Sequence, residues 1–354
     1  MAKLSKSTGR KTRTHEMTLN KCEHGGDPQA FEQRYGRSKH GWLDLSTGIN
    51  PQPYVPKKFN AEDWGSLPSA ANLNNLKRAA AMCYGVSDPQ LITAAPGTQS
   101  FIQWLPRMRP AGRVSIVSPT YNEHALCWRI AEHTVRETSD LNQAEENSDV
   151  IIVVNPNNPD GYQHARKDLK SLAQRQAETG GWLIVDEAFC DVVPELSLAS
   201  AVGAPGLIIL RSFGKFYGLA GLRLGFALTD PVVAERLSTF LGPWAVSTPA
   251  ATIGEEALSD DKWMSITRHQ LKLASNRLDR ILVARNLEVV GGTSLFRLVA
   301  TNQAKAVYQA LAKSGIMVRQ FQYDPNWLRF GLPGCEKDWQ RLEVALRQCG
   351  IKKT

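Results

Sequence analysis

The 354-residue chain lacks the usual signatures of several protein classes. No apolar run approaches the 18–20 residues that span a bilayer. The basic N-terminus has neither the apolar segment nor the small-residue cleavage site of a secretory leader, so a cytoplasmic protein with no membrane partner is expected. The six cysteines (22, 83, 127, 190, 335 and 349) form no CxxC pair and read as reduced thiols rather than a disulfide frame. Seven histidines show no HExxH spacing, and no metal is expected. GxGxxG, GxxxxGK[ST] and GxSxG are all missing, which removes the usual dinucleotide, P-loop and serine-hydrolase fingerprints.

The net charge of +8 would suit a nucleic-acid partner, but its distribution argues against one. Residues 1–21 hold six cations against one acid, and Lys352 and Lys353 add two more, which leaves residues 22–351 at +1. Residues 1–21 are polar and low in aromatics and are expected to be a flexible basic arm. An RNA- or membrane-surface arm is the alternative to a solvated tail.

From residue 70 onward, helical and strand-like segments alternate. Asn72–Tyr84 and Asp168–Thr179 read as helices, while Arg113–Ser118, Asp149–Val154, Trp182–Val185, Leu207–Leu210 and Gly225–Leu228 read as strands. Uninterrupted β-branched runs separated by helices predict an α/β fold with a mainly parallel sheet. After about residue 232 the texture changes to α+β. A long helix over Lys262–Leu282 is followed by strands at Leu295–Val299, Ile316–Phe321 and Trp327–Phe330, then a helix over Lys337–Gln348. The expected division is an N-terminal segment 22–60, a large domain 61–232 and a smaller domain 233–354.

Polar residues gather where the predicted strands end, the edge at which open α/β sheets bind ligands. Asn155-Pro156-Asn157-Asn158-Pro159-Asp160-Gly161 follows one strand and could equally be a structural turn. Asp186-Glu187-Ala188-Phe189 follows the next, and a carboxylate there needs a partner, either an ion pair or a protonated ring nitrogen. The third strand leads into Arg211-Ser212-Phe213-Gly214-Lys215, which runs on to Arg223-Leu224-Gly225. In that segment Ser212 and Arg223 could hold a phosphate, and Lys215 could act as an amine nucleophile.

In this order and spacing, Asn158-Pro159-Asp160-Gly161, Asp186, Ser212-x-x-Lys215 and Arg223-Leu224-Gly225 resemble the fold-type I pyridoxal-phosphate enzymes of the aspartate aminotransferase superfamily. The resemblance covers roughly residues 22–351. It implies a seven-stranded large domain, a homodimer, and pyridoxal 5'-phosphate as cofactor. Lys215 would carry the cofactor, Asp186 would pair with its ring nitrogen, and Asn158 with its ring oxygen. Ser212, Arg223 and Gly97-Thr98-Gln99 would bind its phosphate, Tyr121 would stack on the ring, and Arg329 would clamp a substrate carboxylate. Phe189 and Leu67 stand where the superfamily commonly has tyrosines that contact the cofactor.

His24-Gly25-Gly26-Asp27 and the segment through Gly48 and Asn50 are similar to the cobalamin-pathway decarboxylase branch, related to histidinol-phosphate aminotransferase. That similarity implies a small phosphorylated amino-acid substrate, L-threonine O-3-phosphate, decarboxylated to (R)-1-amino-2-propanol O-2-phosphate. His24, Gly48, Asn50, Asn158 and Arg329 would contact it, although His24-Gly25-Gly26 could equally be a tight turn with a satisfied histidine. An aminotransferase of a phosphorylated substrate such as histidinol phosphate is the first alternative, and a non-catalytic regulatory protein on this fold is the second.

Overall fold

The computed structural model describes residues 25–56 and 62–351. The expected basic arm 1–21, His24, Lys352 and Lys353 lie outside the described residues. Thirteen strands are described: β1 (Leu43–Asp44), β2 (Ile92–Ala95), β3 (Arg113–Val117), β4 (Thr134–Thr138), β5 (Val150–Val154), β6 (Trp182–Asp186), β7 (Leu207–Ser212), β8 (Gly225–Leu228), β9 (Glu288–Thr293), β10 (Phe296–Ala300), β11 (Ile316–Met317), β12 (Arg319–Gln320) and β13 (Trp327–Gly331). Seven of them form one sheet in the order β2-β8-β7-β6-β5-β3-β4, in which only β8 runs against the rest.

Every residue of β5, β6 and β7 is buried, because helices cover both faces of the sheet. The two-residue period of a strand divides these side chains between two cores. Ile151, Val153, Leu183, Val185, Leu207 and Ile209 enter one, while Val150, Ile152, Trp182, Ile184, Ile208 and Leu210 enter the other. The mainly parallel α/β sheet expected from the sequence is therefore present. The helices Ala70–Tyr84 and Arg166–Glu178 fall within two residues of their expected positions.

A second sheet, β12-β13-β10-β9, packs with the long helix Asp261–Val283 in the C-terminal part. Here one expectation is corrected. The stretch Ile316–Phe321 is not a single strand, because the chain changes partner at Val318: β11 pairs in parallel with β1, and β12 pairs antiparallel with β13. The two sheets meet where Gly292 N–H donates to the Asp160 carbonyl at 2.6 Å. A Cβ on Gly161, whose φ is +71°, would lie 2.1 Å from the Gly292 carbonyl oxygen, so only glycine fits that crossing. No helix among the described residues is long and apolar enough to cross a membrane.

The C-terminal ends of β6 and β7 are tied together by a buried ionic cluster. Arg211 donates to Glu187 at 2.8 Å and to Asp191, and its guanidinium lies 4.3 Å from the centroid of the Tyr84 ring. Glu187 also accepts from Ser197 Oγ at 2.6 Å and from the Leu198 amide at 2.7 Å. All three charged residues are buried, so removing the cation alone leaves two carboxylates without compensation. Arg211→Met is expected to cost about 3–5 kcal/mol in urea denaturation; a loss below about 1 kcal/mol would show that the cluster does not anchor these strand ends.

Candidate active site

Because β5, β6 and β7 are parallel and in register, their ends place Asn158, Asp186 and Ser212 along one edge of the sheet. Asp186 is buried, and its Oδ2 lies 2.9 Å from His124 Nε2. Its Oδ1 accepts the Ala188 amide at 3.0 Å. His124 is itself buried in the helix Glu123–Ile130, and its ring meets Tyr121 edge to face at 6.1 Å. The Tyr121 hydroxyl lies 3.4 Å from Gln99 Oε1, and Gln99 Nε2 donates to Glu123 at 3.0 Å. The sequence reading does not single out His124. Its only local signal is its position three residues after Tyr121, in the first turn of the helix that follows.

Lys215 projects from the single-turn helix Phe213–Phe216 that immediately follows Ser212. Its Nζ lies 5.6 Å from the centroid of the Phe189 ring. Burial, with the nearby Arg329 and Arg223 charges, pushes its amine down to about 8, against the pull of Asp186. At neutral pH about a tenth of the amine is then unprotonated, compared with well under a thousandth for an ordinary lysine.

A second corner of the site is lined by backbone. Ser212 pairs with Gly225 across β7 and β8. A Cβ on Gly225 would lie 2.5 Å from the Thr98 amide nitrogen, and one on Gly97 would lie 2.6 Å from Arg223 Nη2. The helix Thr98–Trp104 begins there without a side-chain cap. Arg223 adopts φ +52° and donates to the Ala220 carbonyl at 3.1 Å. A hydroxyl, a guanidinium and a first-turn amide thus converge on a cradle that glycines leave clear of side chains. That donor set suits a phosphate.

Arg329 lies in β13 and is buried. Its Nη1 donates to Asn158 Oδ1, and its Nη2 donates to the Ser46 carbonyl at 3.0 Å. Its Nε is buried with no hydrogen-bond partner among the described residues. Burial, reinforced by Arg319, brings its guanidinium down to about 10. Arg319 stands directly opposite Arg329 in the antiparallel register of β12 and β13, so both side chains leave the same sheet face. Together with Lys215, Tyr121, Asn158 and Tyr323, the two arginines line a cavity of about 200 Å³.

Two residues expected to contact substrate are not in that wall. Gly48 lies under two rings, and a Cβ there would be 2.9 Å from both Phe189 and Phe296. The Asn50 side chain is occupied by backbone, since Nδ2 donates to the Phe216 carbonyl at 2.9 Å and Oδ1 accepts the Gln52 amide at 2.9 Å. Ser46, Thr47, Asn122, Arg319, Phe321 and Tyr323 line the cavity and were not singled out from the sequence.

The profile of the aminotransferase class I and II family matches residues 41–346. The chain is 42% identical over 329 residues to the threonine-phosphate decarboxylase of Pseudomonas aeruginosa, an alignment that covers 92% of this chain and 97% of that protein. It is 43% identical over 326 residues to the threonine-phosphate decarboxylase of a Sinorhizobium species, covering 91% and 97%. Among solved structures, histidinol-phosphate aminotransferase from Sinorhizobium meliloti, in complex with pyridoxal-5'-phosphate, superimposes with a TM-score of 0.80. That match covers 92% of this chain and 94% of that one at 21% identity, which establishes a shared fold. On the family match, the two relatives and this fold, the chain belongs to the aminotransferase class I and II family.

Proposed function

We propose that the protein is a pyridoxal-phosphate-dependent decarboxylase of L-threonine O-3-phosphate. The observation that carries this reading is the register pair Arg319 and Arg329, two cations in one cavity with Lys215, which suits a substrate bearing both a carboxylate and a phosphate. The two relatives above 40% identity are named for that activity, whereas the histidinol-phosphate aminotransferases among the relatives are more distant, at 30% or below.

The residues fit the cofactor because the cradle between Gly97 and Gly225 presents phosphate donors and leaves no room for a side chain. Ser212, Arg223 and the Thr98 and Gln99 amides would hold its phosphate. Asp186, fixed by His124, would face its ring nitrogen, Tyr121 its ring face and Asn158 its ring oxygen. Lys215 would carry it covalently. When bound, pyridoxal phosphate supplies an electron sink for the pair left on Cα as CO2 departs. Phe189 offers no hydroxyl to the ring oxygen.

The chain's own groups do the rest. Arg329 orients the carboxylate, and Arg319 takes the phosphate. A tight grip on the departing carboxylate would stabilise the ground state and oppose reaction. Both Nη atoms of Arg329 already donate to protein oxygens, which limits that grip. Lys215, with its amine near 8, is poised to deliver the proton that replaces CO2 on Cα.

Our reading includes a cytoplasmic homodimer serving cobalamin synthesis, with domains at 61–232 and 233–354. The exposed Trp64, Leu67 and Trp244 offer apolar surface for a second copy of the chain.

The purified yellow protein, given O-phospho-L-threonine, should release CO2 and an amino-alcohol phosphate with no 2-oxo acid present. An absolute requirement for a 2-oxo acid would make it an aminotransferase. Arg319→Ala should lower kcat/KM for O-phospho-L-threonine about 10- to 100-fold and leave that for unphosphorylated L-threonine unchanged; equal losses on both would remove the phosphate role. Cofactor uptake by the apoprotein should accelerate with pH up to about 8 and then level off. In Arg329→Met the break should move to higher pH, because a charge that disfavours protonated Lys215 is gone. An unmoved break would show that Arg329 does not set the state of Lys215.

A further inference from the structure

The catalytic cavity shares Asn122, Arg319, Phe321 and Tyr323 with a second cavity of about 340 Å³. Its outer wall adds Arg34 and Tyr35 from the helix Pro28–Tyr35, and Lys305 and Tyr308 from the helix Ala304–Lys313. Three cations line it, and no aspartate or glutamate does so among the described residues.

The helix Pro28–Tyr35 buries none of its residues, yet it is held in place. The Phe31 ring packs against Trp42 at 5.6 Å and Tyr308 at 6.1 Å, and the Tyr35 ring meets the same two at 6.3 Å. This four-ring cluster pins the helix to Ala304–Lys313 and sets Arg34 at the rim, its guanidinium 5.4 Å from the Tyr35 ring. Glu32, an acid of the same helix, pairs outward with Arg37 at 3.7 Å. Among the described residues, the charged side chains lining the cavity from its rim to Arg319 are all cations, and low-dielectric aromatic walls concentrate their field.

We propose that this outer cavity is a vestibule for phosphate monoesters, in which Arg34 and Lys305 capture the phosphate end of the incoming substrate and pass it to Arg319. The proposal rests on the decarboxylase reading above for the identity of the monoester. It gives the helix a function that its lack of buried residues does not explain, namely to carry a cation to the mouth of the site.

The test compares Arg34→Ala/Lys305→Ala with Lys167→Ala/Lys170→Ala. The second pair removes the same charge from the exposed side of the helix Arg166–Glu178. Decarboxylation of O-phospho-L-threonine by the holoenzyme is followed at low ionic strength and at about 0.2 M salt. The vestibule pair should lose at least about fivefold in kcat/KM at low ionic strength, with kcat unchanged and the gap closing in salt, and the control pair should match wild type. A vestibule variant within twofold of wild type at both ionic strengths, or a control pair that loses as much, would overturn the proposal. If wild type does not turn over O-phospho-L-threonine, the decarboxylase reading fails by itself. Calorimetric binding of inorganic phosphate to the two holoprotein variants then decides the vestibule, with weaker binding by the Arg34→Ala/Lys305→Ala protein supporting it and equal binding overturning it.

Discussion

The site depends on one backbone strap, residues 43–54, which holds Arg329 and Lys215 at a fixed separation. At one end Leu45 donates to the Met317 carbonyl at 2.8 Å and accepts from Gly331 at 2.7 Å, while Ser46 accepts from Arg329. At the other end Asn50 donates to the Lys215 carbonyl and Tyr54 donates to the Tyr217 carbonyl, each at 2.9 Å. Asn50 Nδ2 adds a bond to the Phe216 carbonyl. Arg329 comes from the second sheet and Lys215 from the turn of helix that follows β7, and the two repel each other, so side-chain contacts between them cannot set their spacing. Backbone hydrogen bonds are short-ranged and directional, and they set it instead.

The same economy operates at the ends of β6 and β7. Neighbouring strand residues point to opposite faces, so one acid serves the cavity while the next anchors the sheet. Asp186 meets His124, and Glu187 meets Arg211 on the other side. Ser212 reaches the phosphate corner, and Arg211 faces away into the buried cluster. A slip of one residue in either strand would exchange the two roles, placing an anchoring charge in the site. The buried ionic cluster thus holds the register on which the chemistry depends, whatever its net contribution to stability.

The sheet was legible in the sequence because its central strands are buried on both faces and appear as unbroken β-branched runs. The edge strand β4 was not, since Thr134–Thr138 is mostly exposed and carries no such run. The segment 316–321 misled for a related reason, because its apolar start and polar end belong to two different sheets. In the site, Asp186, Ser212, Lys215, Arg223 and Arg329 stand in motifs whose spacing is local. Arg319 is recognisable only once antiparallel register sets it against Arg329. Asn50 shows a limit of another kind, because a sequence cannot tell that its side-chain amide bonds the Phe216 carbonyl and the Gln52 amide.

The charge distribution acquires a physical meaning from this geometry. A body near neutrality nonetheless gathers Lys215, Arg223, Arg319 and Arg329 around connected corners of one cleft, where their repulsion opposes folding. Burial first, and that repulsion second, depresses the amine of Lys215 and the guanidinium of Arg329. Between pH 8 and the ordinary lysine range the unfolded chain keeps a proton on Lys215 that the folded chain has released, so raising the pH favours the fold. Below 8 both states hold the proton and the full penalty remains. An anion in the cleft offsets the repulsive part of that penalty at neutral pH by supplying the missing charge. Ligands that carry phosphate or carboxylate are therefore bound partly through relief of repulsion that the empty fold sustains, and by binding only the folded chain they stabilise it.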